Sequence, residues 1–210
     1  MDLSVIGLPR RLLYACLVCR EGIPCQGCTA AVFIDIRAAF DSAWRPAILV
    51  ALLARYCPLY LVRLVSSFLT DRRCIFDFDP RATYGIHIGC LQGSVLSPFL
   101  WAVLIDDSLR LSRGPGRVIV GYADDISAVS ASVDPVVAMG DLQLLCDLLV
   151  DWLGARKLEV CPTKSTVLIF SRRPMVLARG GEFRLSLGGV NVPHAASTRL
   201  LGFTMDQKLN

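Results

Sequence analysis

The chain has 210 residues, of which 54% are hydrophobic and 19% charged, and its 22 Lys and Arg exceed its 18 Asp and Glu to give a net charge of +4. This composition excludes a disordered or low-complexity protein, and the sequence contains no uncharged apolar run long enough to cross a membrane. The length suits one domain with a sizeable core, and the small positive charge permits a phosphate-rich partner without requiring one.

The apolar pattern predicts strands and helices that alternate along the chain. Predicted strands lie at 30–35, 74–78, 84–89, 118–123, 126–131, 167–171, 183–187 and 200–204. Predicted helices lie at 10–20, 42–56, 59–69, 95–111 and 135–156, with Ser42 as the N-cap of the second. One apolar stripe runs along the last helix and contains Val136, Met139, Leu142, Leu145, Leu149, Trp152 and Leu153. This order favours an α+β fold, with helices on one face of a mainly antiparallel sheet.

The nine Cys residues and the absence of a secretory signal predict reduced thiols and therefore an intracellular protein. Cys16, Cys19, Cys25 and Cys28 form two CxxC pairs, which is the ligand set of a Cys₄ zinc site. Only residues 20–24 separate the two pairs, whereas about a dozen or more residues are usual. Buried or semi-exposed thiols are the alternative, and a small zinc module that mediates protein contacts is one rival function.

Three carboxylates stand out because apolar strands surround them. Asp35 ends a predicted buried strand, and Asp124 with Asp125 lies at the tip of a predicted hairpin. Two like charges about 4 Å apart repel by roughly 4 kcal/mol at an effective dielectric constant of about 20. A divalent cation relieves this repulsion, and hard carboxylate oxygens suit Mg²⁺. The alternative is that Asp124 and Asp125 are merely the polar residues of a turn.

Three stretches, in order along the chain, resemble the motifs of reverse transcriptases. Residues 33–41 (FIDIRAAFD) resemble motif A, residues 89–98 (GCLQGSVLSP) resemble motif B, and residues 122–125 (YADD) resemble motif C. The amino-acid sequences of these motifs are most similar to those of the reverse transcriptase domain of non-LTR (LINE-type) retrotransposons. The resemblance covers about residues 31–203, and it implies a right-hand polymerase palm with a ferredoxin-like antiparallel sheet, partial fingers and no thumb.

The resemblance implies RNA-directed DNA synthesis by a nucleotidyltransferase that uses Mg²⁺ or Mn²⁺. Asp35, Asp124 and Asp125 are expected to hold two metal ions, with Asp35 and Asp124 as the direct ligands and Asp125 held more loosely. The backbone amides of Ile36 and Arg37, in the stretch 36–39, are expected to approach the triphosphate. The implied partners are an RNA template, a DNA primer and a dNTP.

Four further residues and one further segment take an expected role from the resemblance. Phe40 matches the ring that packs under the sugar of the incoming nucleotide and excludes a 2′-hydroxyl, although a plain core position is the alternative. Gln92 and Gly93 match the loop that lies along the templating base pair. Lys164 matches the motif D lysine, which would protonate the leaving pyrophosphate, and a solvated lysine is the alternative. Residues 200–203 (LLGF) resemble motif E, the hairpin that grips the primer end.

The sequence departs from the family pattern at two positions and in its extent. Leu91 stands where motif B usually has Pro, and Arg37 stands where a small or polar residue is commoner. The expected division is an N-terminal remnant of the fingers or of a connection at 1–29, the palm with partial fingers at 30–205, and a truncated end before the thumb at 206–210. Because the remaining fingers and thumb would belong to a longer polyprotein, we expect weak or no processive synthesis from this chain alone. A catalytically silent, degenerate fragment that retains nucleic-acid binding is the alternative.

Two Arg pairs, at 72–73 and 172–173, are candidate contacts to nucleic-acid phosphates, with solvated loop residues as the alternative. His87 and His194 have no nucleophile beside them and carry no predicted role.

Overall fold

Strands and helices alternate along the computed structural model, which describes residues 27–76, 79–91, 93–112, 114–171, 173–178, 180–200 and 203–207. Its strands are β1 (Cys28–Ile34), β2 (Arg72–Phe76), β3 (Asp79–Ile86), β4 (Arg117–Tyr122), β5 (Asp125–Ser132), β6 (Thr166–Ser171), β7 (Ser186–Leu187), β8 (Val190–Asn191), β9 (Ser197–Leu200) and β10 (Phe203–Asp206). Its helices are α1 (Ala39–Ser42), α2 (Arg45–Ala54), α3 (Leu59–Leu69), α4 (Ser97–Ile105), α5 (Pro135–Gly154) and α6 (Pro174–Ala178), with 3₁₀ helices at Ser108–Arg110 and Gly180–Glu182. The predicted helix over 10–20 and Cys16, Cys19 and Cys25 lie outside the described residues.

The central sheet has four strands in the order β4-β5-β1-β6, and every neighbouring pair is antiparallel. The segment between β1 and β4 and helix α5 between β5 and β6 are the two crossovers, so the four strands follow the βαββαβ pattern of a ferredoxin-like sheet. The predicted α+β class, with its antiparallel ferredoxin-like sheet, is therefore confirmed.

The main hydrophobic core lies between one face of this sheet and the helices α2, α4 and α5. Alternate residues of β1, among them Ala30, Val32 and Ile34, point into it. Helix α5 begins at a clear signal, because the Asp134 carboxylate accepts a hydrogen bond from the amide of Val136 at 2.9 Å and Pro135 occupies the first turn. Among the described residues, no helix combines the length and apolarity that a membrane span needs.

The opposite face of the sheet carries a smaller cluster, made of Ala31, Val120, Val129, Leu168 and Phe170. Part of the terminal region packs on it, through Ala195 and Met205. The five cluster residues are buried, and this is the face that carries the candidate site described below.

Two predicted helix boundaries differ from the structure by three residues or more. Ser42 is not an N-cap: α2 begins after Trp44, and the Ser42 hydroxyl instead donates a hydrogen bond to the carbonyl of Arg37 at 3.1 Å. The helix predicted over 95–111 ends at Ile105, because the buried hydroxyl of Ser108 donates to the Ile105 carbonyl at 2.6 Å and competes with the next helical bond.

The structure also differs from the predicted apolar stripe of α5 and from the predicted tip of the hairpin between β4 and β5. Val136, predicted in the stripe of α5, is 65% exposed because it lies in the first turn, whereas Cys146 is fully buried. Trp152 is only partly buried. The two turn residues between β4 and β5 are Ala123 and Asp124, so Asp125 belongs to β5 rather than to the turn.

The remaining strands differ from prediction mainly in their starting residues. β3 begins at Asp79 instead of 84, and only Ser186–Leu187 of the predicted strand 183–187 is extended. The predicted strand 200–204 corresponds to parts of the hairpin of β9 and β10, whose connecting residues 201 and 202 lie outside the described residues.

Candidate active site

Two of the three conspicuous carboxylates lie side by side at one end of the central sheet. The register between β1 and β5 pairs Ile34 with Ile126, so the next positions outward, Asp35 and Asp125, are neighbours across the two strands. Both line a cavity of about 120 Å³. They lie on the face of the smaller cluster, since Phe33, two residues before Asp35, packs on that cluster.

Negative charge accumulates at this end of the sheet. Partial burial, followed by the charges of Asp124 and Asp35, raises the pKa of Asp125 above its usual value. Within the described part of the chain, none of these three carboxylates forms an ion pair with Lys, Arg or His. The repulsion among them is therefore open to neutralisation by a cation.

Asp35 is held by a turn far away in sequence. Its backbone amide donates to the hydroxyl of Ser165 at 3.1 Å, and its carbonyl accepts from the amide of Cys161 at 2.7 Å. Ser165 is fully buried and its hydroxyl also donates to the Cys161 carbonyl at 2.9 Å. This turn carries Lys164, whose exposed side chain lines the same cavity as Asp35 and Asp125.

The turn between β4 and β5 places Asp124 at the surface beside the cavity. Ala123, the residue before it, has a φ of 53°, an unusual value for a residue other than Gly. The Ala123 carbonyl accepts a hydrogen bond from the indole Nε1 of Trp101 at 2.6 Å. Asp35 thus shares the cavity with Asp125, while Asp124, predicted as a direct ligand, is exposed on the adjoining turn.

Phe40 lies between the segment after Asp35 and the loop before α4. Its half-buried ring packs on Trp101, with ring centroids 5.3 Å apart and an interplanar angle of 33°. Its carbonyl accepts from the amide of Cys90 at 2.7 Å, and the carbonyl of Ala43 accepts from the amide of Gly89 at 2.9 Å. The first of these hydrogen bonds joins the segment that resembles motif A to the loop that resembles motif B, and the second joins that loop to Ala43, two residues beyond the segment.

The other predicted substrate contacts divide into three groups. Ile36 is 5% exposed and packs in the main core, so its side chain points away from the cavity. The amide of Arg37 donates to the Glu159 carbonyl at 2.8 Å and is not available to a triphosphate in this structure, while the Arg37 guanidinium pairs with Glu159 at 3.2 Å. Gly93 is exposed with a φ of +84°, and Gln92 lies outside the described residues.

Two arginines of the pairs predicted as phosphate contacts, Arg72 and Arg173, donate to backbone carbonyls. The Arg72 guanidinium donates to the carbonyl of Ile88 at 3.1 Å and to that of Gly89, so it holds the loop before α4. Arg173 donates to the Val133 carbonyl at 2.7 Å, and Arg172 lies outside the described residues. The Arg72 Nη2 donors are thus engaged by backbone carbonyls, and contact of these pairs with phosphates stays a prediction.

The carboxylates have the chemistry, but not the full convergence, of a metal centre. Among the described residues, no group of three His, Cys, Asp or Glu side chains is placed to hold a metal ion. Asp35 and Asp125 in the cavity, with Asp124 on the adjoining turn, supply carboxylate oxygens, which are the ligands that a hard divalent cation prefers. Burial raises the pKa of the Cys28 thiol, in the proposed zinc set, to about 11, which favours the neutral thiol.

Sequence reasoning missed Trp101, Ser165 and Arg45. Trp101 is almost fully buried and donates a hydrogen bond to the carbonyl of Ala123, the residue before Asp124. Ser165 is fully buried and accepts a hydrogen bond from the amide of Asp35. Arg45 donates to the carbonyl of Ile86, at the end of β3. A Trp within an apolar helix signals a side chain that needs a hydrogen-bond acceptor, but nothing in the sequence shows which one.

Comparison with known proteins matches most of the chain. A family model described as reverse transcriptase (RNA-dependent DNA polymerase) matches residues 18–205. The chain is 28% identical over 211 residues to the RNA-directed DNA polymerase from mobile element jockey of Drosophila melanogaster, covering 97% of this chain and 22% of that protein. It is 29% identical over 178 residues to the putative 115 kDa protein in type-1 retrotransposable element R1DM of the same fly, covering 83% of this chain and 16% of that protein. The chain thus spans about a fifth of the length of these relatives.

Solved telomerase structures share the fold at low identity. The apo telomerase from Candida tropicalis truncated from its C-terminal domain superposes with a TM-score of 0.65 at 10% identity, covering 96% of this chain and 38% of that one. The telomerase from Candida albicans, in complex with a fragment of telomeric RNA, superposes with a TM-score of 0.62 at 12% identity, covering 100% and 33%. These likenesses confirm a polymerase palm-like fold.

Proposed function

The chain belongs to the reverse transcriptase (RNA-dependent DNA polymerase) family, as its motifs predicted, and we propose that it is the palm of an RNA-directed DNA polymerase. The observation that carries the proposal is the pairing of Asp35 with Asp125 in one cavity that also contains Lys164. The reaction would add a deoxynucleotide to the 3′-hydroxyl of a DNA primer on an RNA template.

Asp35, Asp125 and Asp124 would hold the divalent cations, which we propose to be Mg²⁺ or Mn²⁺. When bound, such ions lower the pKa of the attacking hydroxyl and offset the charge of the leaving pyrophosphate. The raised pKa of Asp125 and the absence of ion pairs at these three residues, among those the structure describes, support this assignment.

Lys164 and Phe40 would act on the nucleotide itself. Lys164 lines the same cavity as Asp35 and Asp125. Its ammonium group would give a proton to the leaving pyrophosphate or offset its charge. Phe40, packed on Trp101 at 5.3 Å between ring centroids, would lie under the sugar and exclude a 2′-hydroxyl. Gln92 and Gly93 would lie along the templating base pair.

The chain would work as part of a longer protein. Its length is about a fifth of the jockey and R1DM relatives, which leaves room for the remaining fingers and the thumb in segments outside this chain. Within it, we propose that 30–205 is the palm with partial fingers, that 1–29 is a remnant of the fingers, and that 206–210 leads toward the thumb.

A catalytically silent fragment that binds nucleic acid is the second candidate. One observation favours it: among the described residues, no three acidic, His or Cys side chains are placed together as a metal site. A silent palm would retain the fold and any affinity for RNA but would add no nucleotide.

Primer extension on an RNA template with dNTPs and Mg²⁺ or Mn²⁺ separates these two functions. We expect Asp35→Asn and Asp124→Asn each to lower incorporation by about 100-fold or more, the scale of removing a charged group that acts in the transition state. Asp151→Asn, an exposed change in α5, is the matched control and should leave incorporation unchanged. Incorporation that survives Asp35→Asn would refute the metal-ligand assignment. No incorporation by the unaltered chain, with RNA binding intact in a filter assay, would favour the silent fragment.

A further inference from the structure

Trp101 connects two parts of the candidate site that are distant in sequence. It lies in α4 with only 1% of its surface exposed. Its indole Nε1 donates to the carbonyl of Ala123 at 2.6 Å, and its ring packs on Phe40. One buried side chain therefore contacts both the turn that carries Asp124 and the ring proposed to lie under the nucleotide.

The hydrogen bond acts on the peptide that leads into the carboxylates. The Ala123 carbonyl belongs to the peptide group that joins Ala123 to Asp124, so its direction and the orientation of the Asp124 backbone are set together. Ala123 is held at a φ of 53°, a conformation that a residue with a Cβ rarely adopts without support from its surroundings. A buried indole N–H needs an acceptor, and this carbonyl is the one it has.

The second contact extends this connection to the loop that resembles motif B. Phe40, which packs on Trp101, accepts a hydrogen bond through its carbonyl from the amide of Cys90 at 2.7 Å. A shift of Trp101 would therefore move both the turn that carries Asp124 and the ring of Phe40.

The geometry points to Trp101 as a positioning residue, which orients the Ala123–Asp124 turn through its indole N–H and supports Phe40 through its ring. This role rests on the proposed function. It differs from an ordinary core role because the N–H, rather than the ring volume, sets the orientation of the carboxylates.

Trp101→Phe tests the role, because it retains an aromatic ring beside Phe40 and removes the N–H together with part of the indole volume; a loss of core packing alone would appear equally in exchange at β6. The matched control is Trp152→Phe in α5, whose ring contacts the Arg156 guanidinium at 3.6 Å from the ring centroid and takes no part in the site. Two measurements are made on the 210-residue chain. One is amide hydrogen exchange in peptides that cover the turn and, for reference, β6; the other is the kcat and the dNTP KM of primer extension.

We expect Trp101→Phe to speed exchange at the turn by about 10-fold, the effect of one net hydrogen bond, with β6 unchanged. It should lower kcat by about 10-fold and leave the dNTP KM within about twofold, whereas Trp152→Phe changes none of these. Unchanged exchange at the turn, an equal rise in exchange at β6, or an unchanged kcat in an active protein would each overturn the inference. If the unaltered chain extends no primer, the silent fragment is favoured over the proposed function, and the exchange at the turn alone still decides whether Trp101 holds it.

Discussion

Replacing Gly89 with Ala tests how tightly the loop before α4 is set against the segment after Asp35. Gly89 has a φ of +82°, and a Cβ there would lie 2.6 Å from the carbonyl oxygen of Asp41 and 2.9 Å from its carbonyl carbon. The left-handed backbone alone costs an L-residue about 1–2 kcal/mol. Carbon and oxygen atoms normally stay roughly 3.5 Å apart, so the loop would have to move. That movement would strain the hydrogen bonds from the Gly89 and Cys90 amides, each with a net value of about 1 kcal/mol.

We therefore expect Gly89→Ala to lower the free energy of unfolding by about 3–4 kcal/mol, summing the backbone cost and the two hydrogen bonds. Gly93→Ala is the matched control, because Gly93 has a φ of +84° but no atom within 4 Å of a Cβ, so only the backbone cost of about 1–2 kcal/mol applies. Urea unfolding followed by circular dichroism gives both values by linear extrapolation. Equal losses in the two variants would show that the close approach to Asp41 is not a real constraint.

Three further predictions concern the carboxylates, the lysine and the ring. Partial burial and the charges of Asp124 and Asp35 raise the pKa of Asp125, so ionisation of Asp125 lowers the free energy of unfolding. This loss of stability is absent below the unfolded-state pKa of Asp125 and complete above its folded-state pKa. Asp125→Asn should therefore raise the free energy of unfolding in urea at pH 7 but not at pH 3, and a loss at pH 7 would contradict the sign. Lys164→Ala should slow single-nucleotide extension by about 100-fold, whereas Lys157→Ala, outside the cavity, should leave it within about twofold. Phe40→Ala should raise incorporation of ribonucleotides relative to deoxynucleotides by about 10-fold or more in a competition assay, and an unchanged ratio would return Phe40 to a purely structural role.

Local patterns determined the elements and most of their order. The helix predicted over 59–69 is α3 (Leu59–Leu69), and the apolar run that ends in an acid at 35 is β1 followed by Asp35. These predictions hold because hydrophobic periodicity and the residues that stop a helix, such as Pro58, act within a few residues of each other. The family was also readable from the sequence, because its motifs are short and contiguous.

Only the tertiary structure decided which carboxylates share the cavity. Neighbouring strand residues point to opposite faces, so the register of β5 against β1 selects Asp125 rather than Asp124 as the partner of Asp35. The tertiary structure also decided which backbone groups are held by three buried or partly buried side chains. These side chains belong to Ser165, Trp101 and Arg72, and each contacts the backbone of a different segment. Ser165, for example, lies 130 residues from the Asp35 amide that donates to it. Such contacts depend on how whole elements pack, because a buried donor takes whatever acceptor the packing brings to it, and the sequence around the donor does not identify that acceptor.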